Sequence, residues 1–480
     1  MSSEVSRRRA LAIVGFGAVG TIVGGVGTGR AFWPSGTFSA PTGQGMREPA
    51  SLASSSGVLA VTLRAARGVT LMGRHTQALG YNGSSPGPTL RVQPGDVLRV
   101  TLQNDLAGPT NLHTHGLHVS PEGTSDNIFR SIAPGSSAGY EFHIPPDHPL
   151  GTFWYHPHLH GSVADQVFGG LFGALLVTGA HEPSVTRDRV IVISDTTLTA
   201  GGQVAGVSNA QVMRGREGDL VLVNGQHQPR IDVTAGTLER WRVVNACTSR
   251  FLNLRLDGHT WGMLGYDGQG LHAPSDEKSV LLAPGNRADL LLRPTVAGTF
   301  MLRTAGHDRG GMGMMMGGGS ATSAETVLAT VLIGVGTGSA ATSWPSVAAG
   351  PLDLRSARVD QRRSLAFTMG MGMVFGFDGR PFDPARIDQQ LSLGTLEEWT
   401  ITNSTMMDHP FHLHVWPMQV TDAPDSDPNG PPDWRDVIIV PAGGRVTVRI
   451  PVRDYGGKTV YHCHILDHED LGMMGQVQAR

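Results

Sequence analysis

The sequence predicts an all-β chain of three consecutive, related β-sandwich domains. Three observations carry that expectation. The 65 glycines and 30 prolines separate short runs in which Val, Leu and Thr alternate with polar residues, a turn-rich pattern of period two. One strand–turn segment recurs three times. The length, 480 residues, suits about three domains at roughly 150 residues each. No three-residue glycine period is present, which excludes a collagen-like chain, and 40% hydrophobic residues can fill real cores. A net charge of −3 without a block of like charges gives nucleic acid or an anionic membrane nothing to bind.

The N-terminus reads Ser6-Arg7-Arg8-Arg9-Ala10-Leu11, then a mildly apolar run rich in Gly and Ala to about Gly29. It resembles a twin-arginine export signal, with Ala10 where such signals favour phenylalanine. The run is too short and glycine-rich for a membrane anchor. Residues 30–57 are rich in Ser, Gly and Pro and read as a linker. Residues 1–57 are therefore expected to be signal and linker of an exported protein, periplasmic or extracellular. The domains are expected at 58–182, 183–345 and 346–480.

The repeat starts from Val92-Gln93-Pro94-Gly95, Val233-Thr234-Ala235-Gly236 and Leu391-Ser392-Leu393-Gly394. In each, alternating apolar residues follow the glycine and an asparagine stands nine places on: Asn104, Asn245 and Asn403. Each segment also follows an Asn-Gly or Asp-Gly turn, at Asn82-Gly83, Asn224-Gly225 and Asp378-Gly379. The glycines lie 141 and 158 residues apart, the size of a sandwich domain. A second recurrent strand closes each unit, beginning at Gly151, Gly298 and Gly457.

Alternate residues of a strand project from one face, so His-x-His pairs can converge on a metal. Four such pairs occur: His113/His115, His156/His158, His412/His414 and His462/His464. Eighteen and twenty residues after the repeated glycine stand His113/His115 in the first unit and His412/His414 in the third. The same offsets in the second give Leu254 and Leu256. The closing strand carries His156/His158, then Arg303 and Ala305, then His462/His464. The expected geometry packs units one and three face to face around eight imidazoles, with unit two as a spacer. Eight imidazoles exceed what one ion needs, so several ions are implied. His160 is expected to have an outer or surface role, and His118, His143 and His148 ordinary structural ones.

Only two cysteines occur. Cys463, between His462 and His464, must point to the opposite face and serve a different ion. His409, His468 and Met473 are near it in sequence, and Cys with two His and a weak axial Met is the blue-copper set. Thiolate plus imidazoles favours copper over zinc, and zinc cannot transfer electrons. Cys247 reads as a buried free thiol. One-electron input on one face and a multi-ion cluster on the other match the four-electron reduction of dioxygen to water.

These segments, His113-Thr-His115-Gly116, Trp154-Tyr-His156-Pro-His158-Leu-His160-Gly161, His409-Pro-Phe-His412-Leu-His414 and His462-Cys-His464 through Met473, resemble the four copper motifs of multicopper oxidases. The resemblance runs from about residue 58 to the end. It implies three cupredoxin-like Greek-key sandwiches and about four copper ions. His409, Cys463, His468 and Met473 would hold the blue copper, and His113 and His412 the mononuclear member of a three-copper cluster. One coupled copper would take His115, His156 and His464, the other His158, His414 and His462. Thr114 stands where the family often has an aromatic residue, which leaves the ligands intact. The family uses acidic residues as proton donors, and the matches here are Glu469 and Asp126.

The expected activity is that of a laccase-like or cuprous oxidase, with O2 and a small reducing substrate as partners and a monomeric chain. Two donor classes are open. Methionines at Met312, Met314, Met315, Met316, Met369, Met371 and Met373 suit Cu(I) and resemble those of copper-detoxifying members, whereas laccases oxidise phenols and aromatic amines. The alternative of another class is a non-catalytic electron carrier or cell-envelope scaffold of the same fold, against which the complete ligand set argues.

Overall fold

A computed structural model describes residues 38–311, 325–336, 343–345, 351–370, 374–424 and 426–480. The three expected turns fold on paired positive-φ residues: Asn82–Gly83 at 53° and 78°, Asn224–Gly225 at 51° and 72°, Asp378–Gly379 at 53° and 74°. Asn, Asp and Gly tolerate that conformation best. The strand after each repeated glycine pairs in parallel with an earlier one: Val97–Asn104 with Val58–Arg67, Glu239–Asn245 with Arg187–Thr196, and Thr395–Asn403 with Gln361–Gly370.

The recurrent asparagine ends that strand as a clasp. Asn104 Nδ2 donates to the carbonyls of Gly108 and Ile132, Asn245 Nδ2 to Arg250 and Leu282, and Asn403 Nδ2 to Met407 and Val440. Each Oδ1 accepts the amide two residues on, from Leu106, Cys247 and Thr405. A buried amide satisfied at both ends fixes the loop that enters the next strand.

Among the described residues each unit is a two-sheet sandwich, of four and five strands in the first, seven and five in the second, six and five in the third. Each has its own apolar core, represented by Phe142, Trp241 and Trp399. Cys247 lies in the second core as a free thiol. A further cluster, including Trp154, Val192, Val244 and Leu466, joins all three units. The fold is all-β and cupredoxin-like, in three sandwiches. Among the described residues no helix is long and apolar enough to cross a membrane.

In each five-stranded sheet the motif strand lies antiparallel to the closing strand. Gly151, Gly298 and Gly457 occupy the same place, opposite Val177, Ile333 and Ala479. From there His156 faces His113 and His462 faces His412, but Arg303 faces Arg255 rather than Leu254. This corrects the count made from sequence. The stretch between Asn245 and the motif strand is one residue longer, and a one-residue slip exchanges the two faces of a strand. Leu254 and Leu256 therefore enter the core, and Arg255 and Asp257 take the outward places that imidazoles hold in the other units.

Candidate metal centre

Cys463 ends the closing strand of unit three with its side chain in that unit's core. Its Sγ lies 3.4 Å from His409 Nδ1 and 3.9 Å from His468 Nδ1. The far nitrogens are engaged: His409 Nε2 is 2.9 Å from Thr405 Oγ1, and His468 Nε2 is 3.2 Å from the Met213 carbonyl. Those partners leave each Nδ1 lone pair directed at the sulfur, as an oriented ligand requires. Phe367 stacks on His409 and Phe375 on His468. Met473 is fully buried, and its carbonyl accepts the Cys463 amide at 3.0 Å. Burial pushes the Cys463 thiol up and holds His409 down at about 3, so a bound cation is what would favour thiolate with neutral imidazole.

On the opposite face, His113, His115, His156, His158, His412, His414, His462 and His464 come together, none more than 1% exposed. His462 Nε2 lies 3.1 Å from His158 Nε2 and 3.2 Å from His414 Nε2, so that trio converges on one point. The rings of His115, His156 and His464 are 4.9, 5.8 and 5.9 Å apart, and those of His113 and His412 are 6.1 Å apart. His113 also groups with His115 and His156. Carbonyls of Pro157, Asp436 and Cys463 accept from Nδ1 of His156, His412 and His462, which directs Nε2 inward. Burial first, then mutual repulsion, holds His113, His158, His414 and His464 well below the usual imidazole range.

Both acidic residues expected from the sequence lie at this cluster. Asp126 Oδ2 is 2.9 Å from His113 Nδ1, while Oδ1 accepts from the amide and hydroxyl of Thr114 at 2.8 and 3.1 Å. Burial pushes this carboxyl up to about 7, against those two hydrogen bonds. Fully buried Glu469 places Oε2 3.1 Å from His462 Nδ1 and Oε1 3.5 Å from His158 Nδ1. Asp436 is a third buried acid that sequence reasoning missed. Its Oδ1 is 3.2 Å from His115 Nε2. Burial lifts it to about 7 although Arg287 pulls the other way. No spacing in the sequence ties Asp436 to the histidines, because sheet pairing and domain packing bring them together.

The four other histidines singled out in the sequence have ordinary surroundings. His160 is exposed against Phe382, His143 is exposed against Glu141, and His118 pairs with Asp454. His148 is buried with both nitrogens bonded, to the His118 amide and the Pro149 carbonyl. Of the methionine groups only Met369 lies within the described residues, half-buried on the core of unit three. The spacer reading of unit two is incomplete, since Gly285 approaches His464 so closely that a Cβ there would stand 2.8 Å from the ring.

The donor set fits copper. Buried nitrogens without any hydrogen-bond partner include His113 Nε2, His115 Nδ1, His156 Nε2, His412 Nε2 and both of His464. Such atoms cost free energy unless a metal takes the lone pair. Soft thiolate with two imidazoles on one face, and an all-imidazole cluster on the other, is the chemistry of copper.

Three sequence profiles, each described as multicopper oxidase, match residues 64–182, 186–323 and 353–480. A multicopper oxidase of Staphylococcus aureus is 28% identical over 88% of this chain and 89% of its own. A laccase of Bacillus subtilis is 26% identical over 83% and 89%. The cell division protein FtsP of Proteus mirabilis is 28% identical over 84% and 85%. A solved multicopper oxidase of Campylobacter jejuni, described as a metallo-oxidase, superposes with a TM-score of 0.81 at 29% identity, covering 93% of this chain and 98% of that one.

Proposed function

The chain belongs to the multicopper oxidase family, a family that binds four coppers, and from that premise we propose that it oxidises a small reducing substrate one electron at a time and reduces dioxygen to water. The observation that carries this reading is the position of Cys463. It shares one strand segment with His462 and His464, yet its sulfur meets His409 and His468 on the other face. When bound, copper supplies one-electron exchange at the first face and dioxygen reduction at the second. His409, Cys463, His468 and Met473 are the proposed blue-copper ligands. His113 with His412, His115 with His156 and His464, and His158 with His414 and His462 are the proposed cluster ligands.

Reducing one dioxygen to two waters takes four electrons and four protons. The Cys463 carbonyl accepts from His462 Nδ1 at 2.9 Å, a hydrogen-bonded link between the two sites. Asp126 and Glu469 are the proposed proton donors, since each carboxylate touches a cluster imidazole.

The donor is a reduced copper ion or a phenol or aromatic amine. The methionines of 312–316 and 369–373 support Cu(I), and the similarity to a laccase supports the organic donors. Similarity to FtsP favours a second reading, a scaffold without turnover, and the complete set of buried unpartnered imidazoles speaks against it. Export through the Arg7-Arg8-Arg9 signal and a monomeric state complete the proposal. The test loads the purified protein with copper, then measures copper per chain, visible absorbance and oxygen uptake with Cu(I) and with a phenol. About four coppers, blue colour and oxygen consumption are expected, and the faster donor assigns the substrate. Cu(I) oxidation that survives serine at every methionine of both groups removes the copper-handling argument. A colourless protein after loading overturns the proposed ligands.

A further inference from the structure

Unit two gives the cluster no imidazole, yet it places a cation directly behind it. Arg287 is fully buried at the start of the strand Arg287–Leu292. Its Nη1 and Nη2 lie 2.6 and 2.5 Å from the two carboxylate oxygens of Asp436, a planar two-point fork. Nε donates to the Thr152 carbonyl of unit one at 3.1 Å, and Nη1 to the Gly285 carbonyl at 3.0 Å. One side chain thus touches all three units.

Asp436 is held from behind as well. Asp267, also of unit two, accepts the amides of Asp436 and Val437 at 3.2 Å each, and Asn286 ties Asp267 to the Val437 carbonyl. On its other side Asp436 meets the cluster twice. Its carboxylate is 3.2 Å from His115 Nε2, and its carbonyl accepts from His412 Nδ1 at 2.7 Å. The fork also lies beneath Gly116, the residue after His115. A Cβ there would stand 2.3 Å from Arg287 Nη2 and 2.4 Å from Asp436 Oδ2.

We propose that Arg287 is a positioning residue: through Asp436 it fixes the ring of His412, a mononuclear-copper ligand in the reading above, together with that of His115, a coupled-copper ligand, and so makes unit two a clamp where the two meet. The proposal rests on the copper-ligand reading above. A buried carboxylate without its guanidinium would be free to swing onto His115, and partners behind a ligand commonly govern metal affinity by about 10- to 100-fold. Lysine keeps the charge but not the fork, so it cannot hold both oxygens in place.

The experiment compares the copper-loaded full-length protein with Arg287→Lys and Arg287→Met, reading copper per chain, blue absorbance and the electron paramagnetic resonance of the non-blue mononuclear copper. Full blue absorbance is expected in both variants. Arg287→Met is expected to lose about one copper per chain, and Arg287→Lys to retain copper with an altered non-blue signal. Unchanged copper content and signal in both would overturn the proposal. So would a parallel loss of blue and non-blue signals in Arg287→Lys, which means that Arg287 only holds the units together. If Arg287→Met does not fold, Arg287→Lys decides alone. A wild-type protein that takes up no copper overturns the function reading instead, so the two failures are distinguishable.

Discussion

Units two and three place equivalent strand pairs in equivalent five-stranded sheets and use the outward face in opposite ways. In unit three that face carries His412, His414 and His462 against unit one, sealed from water. In unit two the equivalent places hold Arg255, Asp257 and Arg303. There Arg303 pairs with Asp257 at 3.0 Å, and both arginines pair with Glu325. Arg255, Asp257 and Glu325 remain 38% to 43% exposed. The scaffold therefore fixes where side chains point, while packing against another unit decides whether that face is dry enough for orphan imidazoles. Exposed ion pairs are worth about 0–1 kcal/mol each, so nothing about stability requires the second arrangement.

The comparison breaks most completely at the sulfur. Thr304 occupies in unit two the place of Cys463, and a hydroxyl is no soft anionic ligand. Cys463→Ser is expected to abolish blue absorbance and substrate oxidation entirely, measured on copper-loaded protein. Residual blue colour would assign the chromophore to another residue.

The register correction is tested by returning histidines to unit two. Leu254→His with Leu256→His places two polar rings in a core where each leucine is at most 2% exposed, and is expected to cost about 4 kcal/mol or more in denaturant unfolding. Arg255→His with Asp257→His alters the exposed face and is expected to change stability by about 1 kcal/mol or less. Neither pair is expected to raise the copper count, since among the described residues no histidine of another unit faces that surface. A larger cost for the Arg255 and Asp257 pair than for the leucine pair would restore the register counted from sequence.

What could be read from sequence follows from the same contrast. Four His-x-His pairs, one cysteine between two of them and three Gly-to-Asn segments are patterns local to single strands, and strand alternation converts them directly into faces. The asparagine clasp explains why that residue recurs at a fixed distance. The extra residue after Asn245 was invisible because a loop insertion leaves the apolar alternation intact while it exchanges faces. Asp436, Asp267 and Arg287 were invisible for a different reason. Asp436 meets His412 through the pairing of two strands of unit three, and everything else that ties the three residues to His115 and His412 exists only through packing between units. Thr114, read as a harmless departure, turns out to donate its hydroxyl to Asp126.

Unit one offers an internal contrast between histidines. His148 is buried like the cluster rings, but both of its nitrogens are bonded and it needs no metal. Burial lowers it to about 4, so the folded protein keeps it neutral where the unfolded chain, near 6.5, binds a proton. Its contribution is complete above pH 6.5 and is lost as pH falls from 6.5 to about 4, amounting to about 3 kcal/mol. Unfolding followed across that window is expected to show His148→Gln losing less stability toward acid than the parent. Parallel curves would place the acid sensitivity elsewhere.

The finest expected effect separates proton delivery from metal binding. Glu469 follows His468 in the short helix Leu466–Asp470, and its carboxylate reaches His462 and His158 rather than the sulfur. Glutamine keeps the shape and cannot ionise, so Glu469→Gln removes a proton source while leaving the blue site's contacts in place. Oxygen uptake at saturating donor is expected to fall by about tenfold, less than the roughly 100-fold or more usual for losing an acid–base group, because Asp126 beside His113 remains. Blue absorbance and copper per chain are expected to stay at the parent's values. A variant that loses copper as well assigns Glu469 to holding His462 and His158, and one with unchanged uptake leaves proton delivery to Asp126.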